Sequence, residues 1–159
     1  MLDQREFVMD SYIRLATTED AEAISNVVIS ALRQSNAKDY PPDVIAQVER
    51  SFSPQAVHLL MARRRVYVAS IDQHVVATAS LEGNVIRSVF VEPRYQGAGI
   101  GSQLVSVICV VALDMGQRIL HVPSSITAER FYTSLGFQKV RDEFHGAERT
   151  IIMQKMLLK

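Results

Sequence analysis

The spacing of apolar positions changes character midway along the chain. From Thr17 to Leu32 it is helical: Ile24, Val27, Val28, Ala31 and Leu32 share one face of TTEDAEAISNVVISAL. Thr17, with Asp20 three residues on, has the pattern of a capping box. The run YIRLA just before it reads as a short strand, after a ragged first ten residues. Residues 33–65 are polar and irregular, broken by Pro41-Pro42. A short helix is expected over Asp43–Arg50. A second starts at Ser53-Pro54, with serine as cap and proline at the first helical position, and ends in ARRR, where cations suit a helix C-terminus.

At Val66 the pattern turns to that of strands. VYVASI, HVVATASL and VIRSVFV are β-branched runs joined by Asp72-Gln73 and by Glu82-Gly83-Asn84, a succession of hairpins. The third run leads into RYQGAGIG and then into an apolar helix over 102–115, stopped by Gly116. RILHV reads as the next strand and ITAERFYTSL as a helix ended by Gly136. FQKV and TIIMQKMLL form a final antiparallel pair. Strands in succession, then strand–loop–helix–strand, predict a mixed sheet in an α+β (α/β layered) arrangement. No repeat, linker or low-complexity tract interrupts the pattern, so one domain over 1–159 is expected, with its core in 12–158.

Charge and composition narrow the classes of function. Lys+Arg and Asp+Glu both number 17, which leaves no global field to gather nucleic acid or an anionic membrane. The longest apolar stretch, Leu104–Met115, is interrupted by Ser106 and Asp114 and falls short of the ~20 residues that span a bilayer. MLDQREFVMD has no apolar core of signal-peptide length. The single cysteine, Cys109, excludes an internal disulfide framework and a cysteine zinc site, and a reducing, cytoplasmic setting is expected. His58, His74, His121 and His145 have no metal-ligand spacing, so no metal is expected.

The chemistry is concentrated in RYQGAGIGSQLV, where Gly97, Gly99 and Gly101 precede a helix. A dinucleotide fingerprint would need a third glycine where Ser102 stands and an acidic residue ending the next strand, which RILHV lacks. A P-loop would need a lysine where Gln103 stands. The remaining pattern is Q-x-x-G-x-G between strand and helix: Gln96, Gly99, Gly101. Backbone N–H groups of Gln96, Gly97, Ala98, Gly99, Ile100, Gly101 and Ser102, with the helix macrodipole behind them, can cradle a pyrophosphate without lysine or metal. The glycines would let the phosphates approach where a Cβ would intervene.

This loop resembles the pyrophosphate signature of the GNAT superfamily of acyl-CoA-dependent N-acetyltransferases, and the resemblance extends along the chain. VFVEPRYQGAGIG is similar to that family's fourth strand and loop, SSITAERFYTSLGF to its fifth-strand exit and fourth helix, YIRLATTEDAEAI to its opening and IIMQKML to its closing strand. Together these cover residues 12–158. The resemblance implies a mixed, mostly antiparallel sheet of six to seven strands, splayed between strands 4 and 5 and flanked by about four helices. It implies acetyl-CoA as co-substrate, and transfer to a primary amine of a small molecule or peptide in a ternary complex. Homodimers are common in the family, and one is expected here.

Carried over by position, the backbone of Val89, Phe90 and Val91 would hold the pantetheine arm and thioester oxygen. Tyr132, the tyrosine of the F-Y pair, would protonate the departing thiolate. Ser125 would contact the pantetheine amide or cap the helix. No general base is assigned: Glu82, His121, and Glu143 and His145 in the loop between the last strands are the candidates. Cys109, among apolar neighbours, reads as a buried small hydrophobe, which favours direct transfer over a thioester relay. Arg63–Arg65 reads as a helix end rather than a nucleic-acid patch, with an adenosine 3′-phosphate as its one family-based contact. The acceptor wall would be Leu32–Met61, with Tyr40 touching the acceptor or stiffening a turn beside the prolines. A second class, a non-catalytic acyl-CoA-binding or regulatory module, is favoured by the missing carboxylate on VIRSVFV.

Overall fold

The computed structural model describes residues 11–157. The ragged amino-terminal ten residues and Leu158 of the expected closing strand lie outside the described residues. In chain order the elements are β1 (Tyr12–Leu15), α1 (Ala21–Gln34), α2 (Pro42–Arg50), α3 (Pro54–Met61), β2 (Arg65–Ile71), β3 (His74–Glu82), β4 (Val85–Val91), α4 (Ile100–Asp114), β5 (Ile119–Ser124), α5 (Glu129–Ser134), β6 (Gln138–His145) and β7 (Glu148–Met156). The sheet has seven strands in the order β1-β2-β3-β4-β5-β7-β6. All pairings are antiparallel except β4 with β5, which are parallel and share the single register pair Val85↔His121. Beyond that pair the two strands diverge. The expected mixed α+β sheet, splayed between strands 4 and 5, is present, with five α-helices rather than about four.

Alternation along the strands splits the interior in two. Tyr67 and Ala69 of β2 face α4, whose Leu104 and Ile108 bury against Ile86, Leu120, Ile151 and Phe137. Val66 and Val68, one residue out of phase, face Ile24, Val28 and Leu32 of α1 and Val57 of α3. The apolar stripe that predicted α1 is therefore one of the two core faces. Ser53 caps α3 by accepting the Ala56 N–H at 3.2 Å.

Ahead of α1, Thr17 N–H donates to the Asp20 carboxylate at 2.7 Å, and Arg14 grips the same carboxylate through two donors at 2.8 and 3.0 Å. The Arg14 hydrogen bond holds the Asp20 carboxyl below its usual range, against the opposing effect of burial. A depressed folded pKa adds stability that is present at neutral pH and lost as pH falls through that folded value. The melting temperature of the native chain is thus expected to exceed that of Asp20→Asn at pH 7. The gap should close on acidification below the ordinary carboxylate range, as read by thermal unfolding at stepped pH.

Several boundaries differ from the sequence reading: α1 begins at Ala21, after a short 3-10 turn over Thr18–Asp20, and α3 ends at Met61, ahead of ARRR. Helix α4 begins at Ile100, two residues early, because Gly99 takes a left-handed conformation (φ +84°) and turns the chain at once into helix; it ends at Asp114. Helix α2 gains Pro42 at its first position. The expected helix over 126–135 is only Glu129–Ser134, since Ile126 and Thr127 hydrogen-bond the Asp39–Tyr40 segment instead. Strand β6 is longer than expected, β7 is shifted two residues earlier, and the two meet in a tight turn at Gly146, which places Glu143 and His145 on β6 and not in a loop.

Candidate functional site

The site is made by a bulge and a splay acting together. In the β3–β4 ladder Thr78 pairs with Phe90 and Ser80 with Arg87, so Ala79 faces both Ser88 and Val89. Ser88 takes up the extra residue with a positive φ of 56°. The bulge bends β4 away from its partner just where pairing with β5 stops. On the other side, Pro123 of β5 has no N–H to donate and lies past the last β4 contact, where that edge is unpaired. Between the diverging strands opens a cavity of about 1140 Å³, with β4 on one side, His121–Ser125 on the other and the glycine loop at one end.

At that end, the backbone N–H groups of residues 97–102 find no backbone acceptor among the described residues; the first helical bond of α4 is from Gln103 to Gly99. Gly97, Gly99, Ile100, Gly101 and Ser102 all line the cavity, and Ala98 packs against the core beside them. Gln96 departs from expectation: its N–H donates to Pro93 at 3.2 Å and is not free. Its side-chain amide instead donates to Val91 C=O at 3.1 Å and to Ser35 Oγ at 3.1 Å, tying the loop to β4 and to the end of α1. The glycines also divide their work. A side chain on Gly97 or Gly99 would meet open space, so the requirement there is the positive φ (+81° and +84°). On Gly101 a Cβ would come within 3.2 Å of the Phe131 ring and 3.5 Å of Val91. This glycine therefore serves packing, and not the close approach of an anion.

Tyr132 stands across the cavity on α5. It is 3% exposed, packed edge-on between Phe131 and Phe137 with ring centroids at 5.0 and 5.5 Å. Among the described residues its hydroxyl has no hydrogen-bond partner, and it keeps accessible surface at the cavity wall. Burial pushes the phenol well above its ordinary pKa. Val89, Phe90 and Val91 line the opposite wall, Phe90 also meeting Phe52 edge-on at 5.7 Å. Ser125 Oγ accepts the Ala128 N–H at 3.1 Å, holding the turn that leads into α5 at the cavity's edge, while the N-cap position itself is Ala128.

The base candidates are dispersed. His121, half-buried, lines the cavity at the sole β4–β5 pair. Glu143 is bound to Arg141 at 2.6 Å and His145 is exposed, both on the cavity's outer rim. Glu82 is held by Arg87 at 2.9 Å. Cys109 is half-buried against the α4 core, and burial raises its thiol pKa. The three arginines separate: Arg63 is exposed in the turn after α3, Arg65 opens β2, and Arg64 turns inward to the cavity. Its neighbours are Ser88, Arg87 and Glu82, three to nine residues before the β4 terminus, away from the glycine loop. That inward turn was missed from sequence. No local signal separates Arg64 from Arg63 and Arg65, which stay exposed; its inward turn goes with its hydrogen bond to Ser88 on the β4 bulge.

Tyr40 is a strut. Its hydroxyl accepts the Ile126 N–H at 2.7 Å and donates to Arg149 C=O at 3.0 Å, and Asp39 accepts from Thr127 Oγ1 at 2.7 Å. These bonds fasten the 32–61 wall to β7 and to the start of α5. Tyr40→Phe leaves a donor and an acceptor without partners, and is expected to cost about 1–2 kcal/mol in denaturant unfolding. Among the described residues no group of three His, Cys, Asp or Glu is placed to hold a metal ion, and no helix is long and apolar enough to cross a membrane.

Residues 62–139 match the family model described as "Acetyltransferase (GNAT) domain". A curated relative, the uncharacterized N-acetyltransferase YafP of Escherichia coli (strain K12), is 28% identical over 127 residues, 78% of this chain and 79% of that protein. Among solved structures, a GCN5-related N-acetyltransferase from Rhodopseudomonas palustris superposes with a TM-score of 0.88 at 22% identity, covering 94% of this chain and 98% of that one. The PaiA N-acetyltransferase of Thermoplasma acidophilum, solved in complex with coenzyme A, gives 0.80 at 19% identity, covering 93% and 99%.

Proposed function

We propose that the chain, which is similar to GNAT acetyltransferases in sequence over residues 62–139 and in fold, moves an acetyl group from acetyl-CoA to a primary amine of a small molecule or peptide, by direct transfer in a ternary complex. The observation that carries this reading is the continuity of one cavity from the glycine loop, whose backbone N–H groups over 97–102 have no backbone acceptor among the described residues, past the β4 bulge, to Tyr132, whose hydroxyl likewise has no partner among them. The coenzyme A complex of the Thermoplasma relative supports the same donor.

In this reading the N–H groups of residues 97–102 take the pyrophosphate, helped by the positive end of α4. The pantetheine arm lies along Val89–Val91, where the splay leaves backbone groups without a β5 partner. The amine nitrogen attacks the thioester carbon; a C–N bond forms, the C–S bond breaks, and Tyr132 delivers its proton to the departing sulfur. The amine's own proton leaves through water to a neighbouring acceptor, with His121, which lines the cavity on β5 and has no carboxylate or arginine partner among the described residues, as the base candidate. Cys109 takes no part, since it sits half-buried against the α4 core and does not line the cavity. A cytoplasmic site of action and one functional domain complete the proposal.

A second reading keeps the same cavity as a non-catalytic acyl-CoA-binding or regulatory module. It is favoured by the lack of a carboxylate on β4 and by the engagement of Glu82 with arginine. Acetyl-CoA titration by calorimetry, beside a thiol-release assay on an amine panel, separates the two. Binding with release supports transfer, binding without release supports the module, and no binding refutes both.

A further inference from the structure

The end of the cavity away from the glycine loop carries an imbalance of charge. Arg64 is 12% exposed at its side chain. Its Nη1 donates to Ser88 Oγ at 3.1 Å, at the bulge itself, while its buried Nε has no hydrogen-bond partner. The nearest carboxylate, Glu82, lies 3.7 Å from that Nε, and the same Oε1 already accepts from Arg87 Nε at 2.9 Å. Two guanidinium groups thus share one carboxylate, and both arginines line the cavity. A half-buried net positive charge with unused donors is costly unless an anion completes it. The pyrophosphate cannot be that anion, because Ser88 precedes the end of β4 by three residues, roughly 10 Å at the strand's rise, and the loop lies beyond that end.

Resting on the acetyl-transfer reading above, we infer that the acceptor carries a carboxylate close to its amine, an α-amino acid or a like compound, and that Arg64, with Arg87 beside it, receives that carboxylate. A guanidinium presents a planar fork of donors that matches a carboxylate's two oxygens. Seated there, the acceptor's carboxylate lies at the bulge and its amine is directed toward the thioester between β4 and Tyr132. The same positive charge disfavours the ammonium form of the incoming amine, which must be neutral to attack. It also repels polyamines and other multiply cationic acceptors.

The test compares proteinogenic α-amino acids with their own carboxamides as acceptors in the thiol-release assay. The carboxamide keeps the amine, and presents more of it neutral, while removing the anion. The expected result is kcat/KM for at least one acid exceeding that of its amide by about tenfold or more, since a site built to bind a polar group discriminates against its absence. Arg64→Met should close that gap to within about twofold, and Arg64→Lys, which keeps the charge without the fork, should fall between. Coenzyme A affinity, measured by calorimetry on the same samples, should stay as in the native chain. Acids no better than their amides, including no release from either while coenzyme A is bound, overturn the inference and leave the donor assignment standing. So does a gap that survives Arg64→Met. Loss of coenzyme A binding by the native chain would instead remove the reading beneath it. Should Arg64→Met fail to fold, the acid-to-amide ratio of the native chain decides alone.

Discussion

Tyr132→Phe is expected to lower kcat by about a hundredfold, roughly 2.7 kcal/mol of transition-state stabilisation, with coenzyme A affinity unchanged. The split follows from where the hydroxyl stands. The ring is locked between Phe131 and Phe137 and survives the substitution, so the cavity wall keeps its shape. The oxygen has no partner among the described residues, so its removal breaks no hydrogen bond of the fold. The variant should therefore melt close to the native temperature, because the hydroxyl faces the cavity and no bond of the fold is lost with it. The rate alone registers the loss of a proton donor to the leaving thiolate. Burial keeps the phenol protonated well past its ordinary range, so the residue acts as an acid throughout the working pH. A loss of activity on the alkaline side then belongs to another group and should persist in the variant. An unchanged kcat would take Tyr132 out of the reaction and leave the thiolate to be protonated by water.

The parts of this site that could be read from sequence are those whose residue type is dictated by local backbone. Gly97 and Gly99 are needed for their positive φ, a property of the residue itself, and they announce the loop. Ser53-Pro54 marks a helix start for an equally local reason and is found where expected, while the Thr17–Asp20 capping box is present but caps a 3-10 turn ahead of α1. What escaped was set by partners far along the chain. Helix α5 is short because Tyr40 and Asp39, more than eighty residues earlier, draw Ile126 and Thr127 away from it. Gly101 is small because Phe131 packs on it, thirty residues later. Arg64 is turned inward by a bulge on a strand two hairpins away. Local propensity carries no information about any of these, and strand ends that depend on pairing, such as those of β6 and β7, were misplaced for the same reason.

The two glycines of the G-x-G pair consequently resist substitution for different reasons, Gly101 for packing on Phe131 and Gly99 for its backbone conformation. Gly99→Val is expected to weaken coenzyme A binding by about a hundredfold, roughly 2.7 kcal/mol. Nothing lies within 4 Å of a Cβ built at this position, so the loss cannot be steric exclusion by the protein. The residue is left-handed at φ +84° and is the N-cap of α4. A non-glycine residue pays about 1–2 kcal/mol there, and a β-branched one more, which drives the turn to another conformation. The N–H groups that follow it, of Ile100, Gly101 and Ser102, then point elsewhere. A hydrogen bond to a charged group is worth about 1.5–3 kcal/mol, so misaligning one or two accounts for the loss. Asparagine tolerates the left-handed region, and Gly99→Asn should keep most of the affinity. Calorimetry on the pair, with thermal unfolding to show that both are folded, separates conformation from space. Equal losses from Asn and Val would mean that the phosphates occupy the volume of the side chain, and that the open space beside Gly99 is where they lie.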